Sequence, residues 1–485
     1  MFQSRRKIKK STILLIQSLG VILFNLLNTT VSWAYPSFPT DPGACGDPNL
    51  PCQYDKNAVA QPQNTTMRAM ALPNRLTEGD FNTYVNPGQV VNYGTAYLEG
   101  WTGAPLAWGG AGIPLPGNQK IAIFLRRPLN QNSALGSVKS MFDTTAFKLP
   151  NTTLPNGGAG GIANNGEVNG DAFGILSTAK GFGNLDLFYG IPLGNVNVGL
   201  RLSYANVSKA AEETTATSDK KFSSSSYDVS VGLGAQIKNF FGGYLDAAVS
   251  SGYVKTSVKY DNMVTAGSEY MYITSKTPLI LGGLLRYVLP VGENKLLLAA
   301  NMDTWNLPLE LRGQNTAGSS THAIDASTKA MLLNLDAAYH QTFTEAKLKI
   351  IYSAGVGYAR NTYAMSTAIN PSSAADIFGN TLVDNKDELI NTFIPLGLAA
   401  EHQTFENLKT RIGIRKNVVS VKSRTQKVGT TTTTYDTQFS NDDELTMAMG
   451  LGWMPAQKVS FDFAMSANAF NLTTFFSAIS IRYYY

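Results

Sequence analysis

The sequence predicts an all-β chain: a transmembrane antiparallel up-and-down β-barrel of about sixteen strands, with fourteen as the alternative, behind an irregular N-terminal segment. Three observations predict it. Runs of strand length alternate apolar and polar residues, the connectors between them are alternately short and long, and the chain closes on an alternating run that stops at an aromatic residue. A helix would bring apolar residues round every three or four positions, so a period of two argues against helices in these runs.

The elements follow in chain order. Arg5, Arg6, Lys7, Lys9 and Lys10 form a basic region, Ile13 to Leu27 an apolar core, and Ser32-Trp33-Ala34 a small-residue cleavage site, so residues 1–34 are expected to be a cleaved signal peptide. The formal charge of +5 comes from 39 Lys and Arg against 34 Asp and Glu. The five cations of the basic region account for the whole excess, so the mature chain is formally neutral and gives no reason to expect a nucleic-acid partner. Residues 35–88 are rich in Pro, Asn, Thr and Gln without a sustained period, and are expected to form a periplasmic segment or plug. Cys45 and Cys52, close together in a Pro- and Gly-rich stretch, are expected to form a small-loop disulfide in an oxidising compartment.

Residues 89–485 read as the barrel. Candidate strands lie near 91–101, 105–114, 119–127, 184–192, 195–206, 226–238, 243–256, 277–290, 295–310, 328–343, 346–362, 388–403, 408–421, 443–455, 458–468 and 474–485. Val196, Val198, Leu200, Leu202 and Tyr204 share one face of their run against Asn195, Asn197, Gly199, Arg201 and Ser203 on the other. Such alternation suits a strand with lipid on one side and a polar interior on the other. Short connectors near Pro192–Gly194, Asn239–Gly242, Val291–Asn294, Phe343–Glu345, Thr404–Asn407 and Pro455–Gln457 separate long polar ones at Ser208–Ser226, Lys259–Ser275, Arg312–Ser327, Ser366–Asp387 and Lys422–Asp442. Short turns belong to the periplasmic side of such barrels and long loops to the outside. The longest connector, 128–183, carries a glycine-rich run and reads either as a constriction loop or as a surface loop.

The last run, Thr474 to Tyr485, puts Ile479, Ile481, Tyr483 and Tyr485 on one face, with Ser480 and Arg482 on the other. It resembles the closing strand of bacterial outer-membrane β-barrels, a resemblance that implies export to the outer membrane, contact with its lipid, and recognition of those residues by the barrel-assembly machinery. Ahead of the first strand, Tyr84-Val85-Asn86-Pro87-Gly88 resembles the Asn-Pro-Ala motif of the outer-membrane fatty-acid transporter (FadL-like) family, with Gly88 in place of the alanine. That resemblance implies a transporter for hydrophobic substrates; the same residues also read as an ordinary turn.

Arg201, Asp228, Asp246, Asp336, His340, Arg360, Arg411, Arg415, Asp462 and Arg482 occupy polar positions of their runs and are the lumen-facing candidates. They would either pair across a narrow lumen or stand in opposed ladders across water and select solutes. Three histidines, with no nucleophile elbow, metal-ligand cluster or phosphate loop, predict no catalysis, no metal and no cofactor. The function expected first is a porin passing small solutes by diffusion. The alternatives are the hydrophobic-substrate transporter and a structural or surface-interaction barrel with a plugged lumen. The oligomeric state is left open.

Overall fold

The computed structural model describes residues 65–101, 108–125, 185–214, 218–264, 267–314, 322–366, 385–428, 431–437, 445–468 and 478–484. The signal peptide, the Cys45 and Cys52 pair, the 128–183 connector and Tyr485 lie outside the described residues. Among those described, no helix is long and apolar enough to cross a membrane. Crossing falls to strands.

Sixteen of them close on themselves. In chain order they are β1 (Thr95–Trp101), β2 (Trp108–Pro114), β3 (Lys120–Leu125), β4 (Leu185–Leu193), β5 (Val196–Thr214), β6 (Ser218–Phe240), β7 (Gly243–Val264), β8 (Gly267–Ser275 continued by Leu279–Val291) and β9 (Asn294–Gln314). The circuit continues with β10 (His322–Phe343), β11 (Leu348–Ser366), β12 (Asn385–Phe405), β13 (Leu408–Val428), β14 (Thr431–Thr437 continued by Thr446–Ala456), β15 (Val459–Asn468) and β16 (Ala478–Tyr484). β8 and β14 each count once because both segments of each pair with the same neighbours, β7 and β9 in one case and β13 in the other. β1 pairs antiparallel with both β2 and β16, setting Tyr97 opposite Arg482 and Glu99 opposite Ser480. No sheet edge is left at that seam, as a membrane requires.

Alternation dictates which side each residue faces. In β16 Ile479, Ile481 and Tyr483 are exposed while Ala478, Ser480 and Arg482 are buried. The exposed class is apolar because that face meets lipid: Leu335, Val249 and Leu285 are 65%, 62% and 51% exposed.

Two expectations need correction. Four of the stretches read as long loops are mostly strand: β5 and β6 pair out to Thr214 and Asp219, β7 and β8 to Val264 and Gly267, β9 and β10 to Gly313 and His322, and β13 runs on to Val428 against β14. These hairpin arms are rich in Ser, Thr and Lys. An arm wetted on both faces needs no apolar alternation, so its strand character left no period to read. The second correction is Arg360, placed by register opposite Met331 and Ile390 on the outer face and exposed there, not in the lumen.

Candidate functional site: the plug and the lumen

Residues 65–94 do not lie beneath the barrel; they fill its interior. One helical turn (Thr65–Arg68) is followed by three 3-10 turns (Asn74–Leu76, Asp80–Thr83 and Pro87–Asn92), and most of their described side chains are buried. Three apolar contacts seat them. Tyr84, Val90 and Tyr93 pack into an aromatic cluster with Tyr97, Trp108, Phe124 and Phe188 of β1–β4, with Tyr84 edge-on to Phe188 at 5.0 Å. Met70, Leu72 and Leu76 pack against Val288, Leu297, Ala338, Ile351 and Ala399 of β8–β12, and Ala69 packs against Ala464 and Ala478.

Charge does the rest. Asp246 of β7, fully buried, accepts hydrogen bonds from Asn86 Nδ2 (2.8 Å) and Gln89 Nε2 (2.8 Å) of the plug and from Arg286 of β8 (2.9 and 2.6 Å). Arg286 in turn donates to the Thr77 carbonyl at 3.0 Å. Arg75 Nε reaches Asp336 at 2.6 Å, and His340 Nε2 reaches the Leu76 carbonyl at 2.9 Å. Thr65 donates from backbone and hydroxyl to Glu99, which also accepts from Tyr97, and Arg482 donates to the Thr66 hydroxyl. Arg411 bridges Glu401 and Asp462, both at 2.6 Å, and Arg482 also approaches Asp462 at 3.5 Å. Arg201 pairs with Asp186 at 2.9 Å and lies over the Tyr84 ring. Buried charges are tolerable only when paired in this way.

Asn86-Pro87-Gly88 lies at the centre of this contact. The Asn86 side chain accepts from Gly88 N–H, capping the turn, and donates to the Ala235 carbonyl as well as to Asp246. The wall beneath is glycine because nothing larger fits. A Cβ on Gly199 would lie 2.5 Å from Gly88 N, and one on Gly234 only 2.7 Å from Pro87 Cδ. Reciprocally, a Cβ on Gly88 would sit 2.6 Å from the Asn197 carbonyl, so alanine cannot replace it at this spacing.

The structure therefore brings Arg201, Asp246, Asp336, His340, Arg411, Asp462 and Arg482 to the inner wall, where they meet one another or the plug. Arg415 lies on the inward face of β13 without an ion pair among the described residues. Asp228 holds an inward register position on β6, and its side chain is outside the description. Sequence reasoning missed Glu99, Asp186, Arg286 and Glu401. Arg286 has the parity of Leu284 and Val288, an apolar setting that masks a guanidinium bound both to Asp246 and to the plug.

On the side of the plug nearer the short turns, a cavity of about 270 Å³ lies between Glu78, Asn82, Gln89 and Asn92 of the plug and Gln236 and Tyr244 of the wall. Glu78 receives Lys295 Nζ at 2.7 Å and Tyr244 Oη at 2.9 Å. Burial pushes its carboxyl up, but the bond and charge of Lys295, the Tyr244 hydroxyl and the charge of Lys349 outweigh it and hold the pKa below the usual value.

A closed wall, an apolar exterior and a polar, filled interior decide the class. The chain is an outer-membrane β-barrel. No protein-family description matches it, and no curated protein does. Among solved structures, a Pseudomonas aeruginosa FadL homologue aligns at 12% identity and TM-score 0.39, covering 87% of this chain and 98% of that one. The Pseudomonas putida toluene transporter TodX aligns at 10% and 0.35, covering 84% and 95%. The β domain of the Bordetella autotransporter BrkA aligns at 13% and 0.26, covering 60% and 99%.

Proposed function

We propose that this barrel is a plugged channel for small hydrophobic molecules and not an open diffusion porin. The observation that carries the reading is how the inner wall is divided. Most of the described inner-wall charges pair with one another or with the plug in the half nearer the short turns. Among the described residues Arg415 makes no ion pair there, and Asp303, which accepts from Asn301, lies farther along. Farther along the strands, the inward positions include Leu284, Leu307, Leu332 and Phe393, all at most 8% exposed, with Leu332, Ala359 and Phe393 in mutual contact. A charge-selective aqueous pore needs ladders of opposite sign there. An apolar solute needs such side chains, with the amides of Asn301, Asn334 and Asn391 interspersed to orient it. The resemblance of Asn86-Pro87-Gly88 to the FadL-like motif points the same way, since this turn holds the plug to the wall.

The test is reconstitution. Wild-type protein in planar bilayers is expected to show no steady conductance, deletion of residues 65–92 to open it, and liposomes bearing the intact protein to take up a fluorescent hydrophobic probe saturably. A steady, salt-proportional conductance from intact protein, without saturable uptake, would return the function to the porin class.

A further inference from the structure

The outer wall carries a feature that neither plug nor lumen uses. Above the apolar band of β10–β13, the outward positions turn basic. Lys329 of β10, Arg360 of β11, Lys386 of β12 and Lys427 of β13 are all exposed on the outer face. Register groups them. Lys329 stands one outward position beyond Met331, the partner of Arg360, and Lys386 is directly opposite Lys427. Of the residues with described side chains, one carboxylate sits among them: Glu388 takes Arg360 at 3.1 Å and Lys386 at 2.9 Å. Among the described side chains the cations outnumber the carboxylates four to one, and Lys386 and Lys427 face each other across a strand pair, an arrangement of like charges that a further anion would relieve.

Directly below Lys329 the wall is concave and apolar. A groove of about 780 Å³ crosses β6–β10, bordered by Leu233, Val249, Leu285, Met302, Leu333 and Leu335. Its depth comes from small outward residues, Ala235, Ala247, Gly283 and Ala300, in successive strands; a Cβ on Gly283 would meet open space. Leu333 lies four residues from Lys329 on the same face, a span of roughly 13 Å at strand rise. That is the separation of a lipid head group from the upper part of its chains.

We propose that this face binds a phosphorylated glycolipid of the outer leaflet, its phosphates on Lys329, Arg360, Lys386 and Lys427 and an acyl chain in the groove. A free phosphate would use the cations and ignore the groove, and a neutral lipid would do the reverse. Only a phosphorylated lipid uses both. The proposal rests on the outer-membrane orientation, with the hairpin arms outside, and not on what the lumen carries.

Native mass spectrometry of the full-length refolded protein tests it, with lipid A, its phosphate-free form and inorganic phosphate as probes. Wild type is expected to retain lipid A over the phosphate-free form. The K329Q/R360Q/K386Q/K427Q variant is expected to lose retention, by up to about fivefold per cation removed. The K329R/K386R/K427R variant should keep it. Gly283→Leu, which fills the groove, should weaken retention of both lipids and leave the preference between them. If the fourfold variant lacks the heat-modifiable mobility of a folded barrel, K329Q and K427Q singly provide the reading, since neither residue belongs to the Glu388 cluster. Equal retention of lipid A and its phosphate-free form by wild type, unchanged retention in the cation variants, or displacement of lipid A by millimolar inorganic phosphate would each overturn the proposal. The channel reading would stand in every one of those cases, because no transport is measured.

Discussion

Asp246→Asn is the perturbation that most directly tests how the plug is held. Asp246 and Arg286 are both fully buried, and the carboxylate accepts four hydrogen bonds, two from the guanidinium and one each from Asn86 and Gln89. Asparagine keeps the shape but removes the charge and turns an amide N–H₂ toward groups that are themselves donors. Arg286 is then an uncompensated buried cation, at a cost of about 3–5 kcal/mol. If the plug relieves that cost by letting water reach Arg286, its undocked population rises about a hundredfold or more. The comparison is Lys295→Gln. It breaks the Glu78 pair, in which the lysine is 44% exposed, and should cost no more than about 1 kcal/mol. Planar-bilayer recordings should show frequent opening events in D246N and rare ones in K295Q, and urea unfolding in lipid vesicles should show a lowered midpoint only for D246N. Adding Arg286→Met to D246N should recover part of the loss, because no buried charge remains. Openings no more frequent in D246N than in K295Q would refute the view that this buried pair, and not the surface contacts, fixes the plug.

Three further outcomes follow from the same geometry. Gly199→Ala should leave the barrel folded on a heat-modifiability gel yet displace the Asn86–Gly88 turn, at about 1–3 kcal/mol of overpacking, and raise bilayer conductance. The Glu78 carboxyl has a lowered pKa in the folded protein, so its stabilising contribution is complete above the unfolded value of about 4.3 and is lost as pH falls through the lowered folded one. Glu78→Gln should therefore lose a small increment at pH 7 and flatten the acid side of the urea-midpoint profile. Leu335→Arg, on the lipid face at 65% exposure, should cost about 2–4 kcal/mol if it lies near the midplane, read as reduced folding yield into vesicles.

The sequence made the wall legible and the plug almost wholly illegible, for a physical reason in each case. β4, β5, β15 and β16 announce themselves because lipid enforces an apolar side chain at every second position, and that constraint is local. It fades where lipid ends, and so the arms of β5–β10 passed for loops. Arg360 went astray at the same boundary: it shares the parity of Val356 and Tyr358, which should have placed it outside, but a charge beside a polar run invites the opposite assignment. The plug obeys no period. Its partners are specified by contacts such as Arg75 to Asp336 and Asn86 to Asp246, which lie 261 and 160 residues apart, and no window along the chain holds both members. Asn86-Pro87-Gly88 was visible as a motif, whereas the glycines that receive it, Gly199 and Gly234, looked like ordinary inward positions.

Those glycines also impose an order of events. The turn they receive is made before them in the chain, yet the surface it fits does not exist until β5 has paired with β6, and Asp246 and Arg286 are not side by side until β7 has paired with the second segment of β8. Further anchors, Asp336 on β10 and Arg482 on β16, come later still. A segment made early must therefore wait for a receptor made later in the chain. The last of these contacts comes from the closing strand, so the plug seats fully only in a closed barrel.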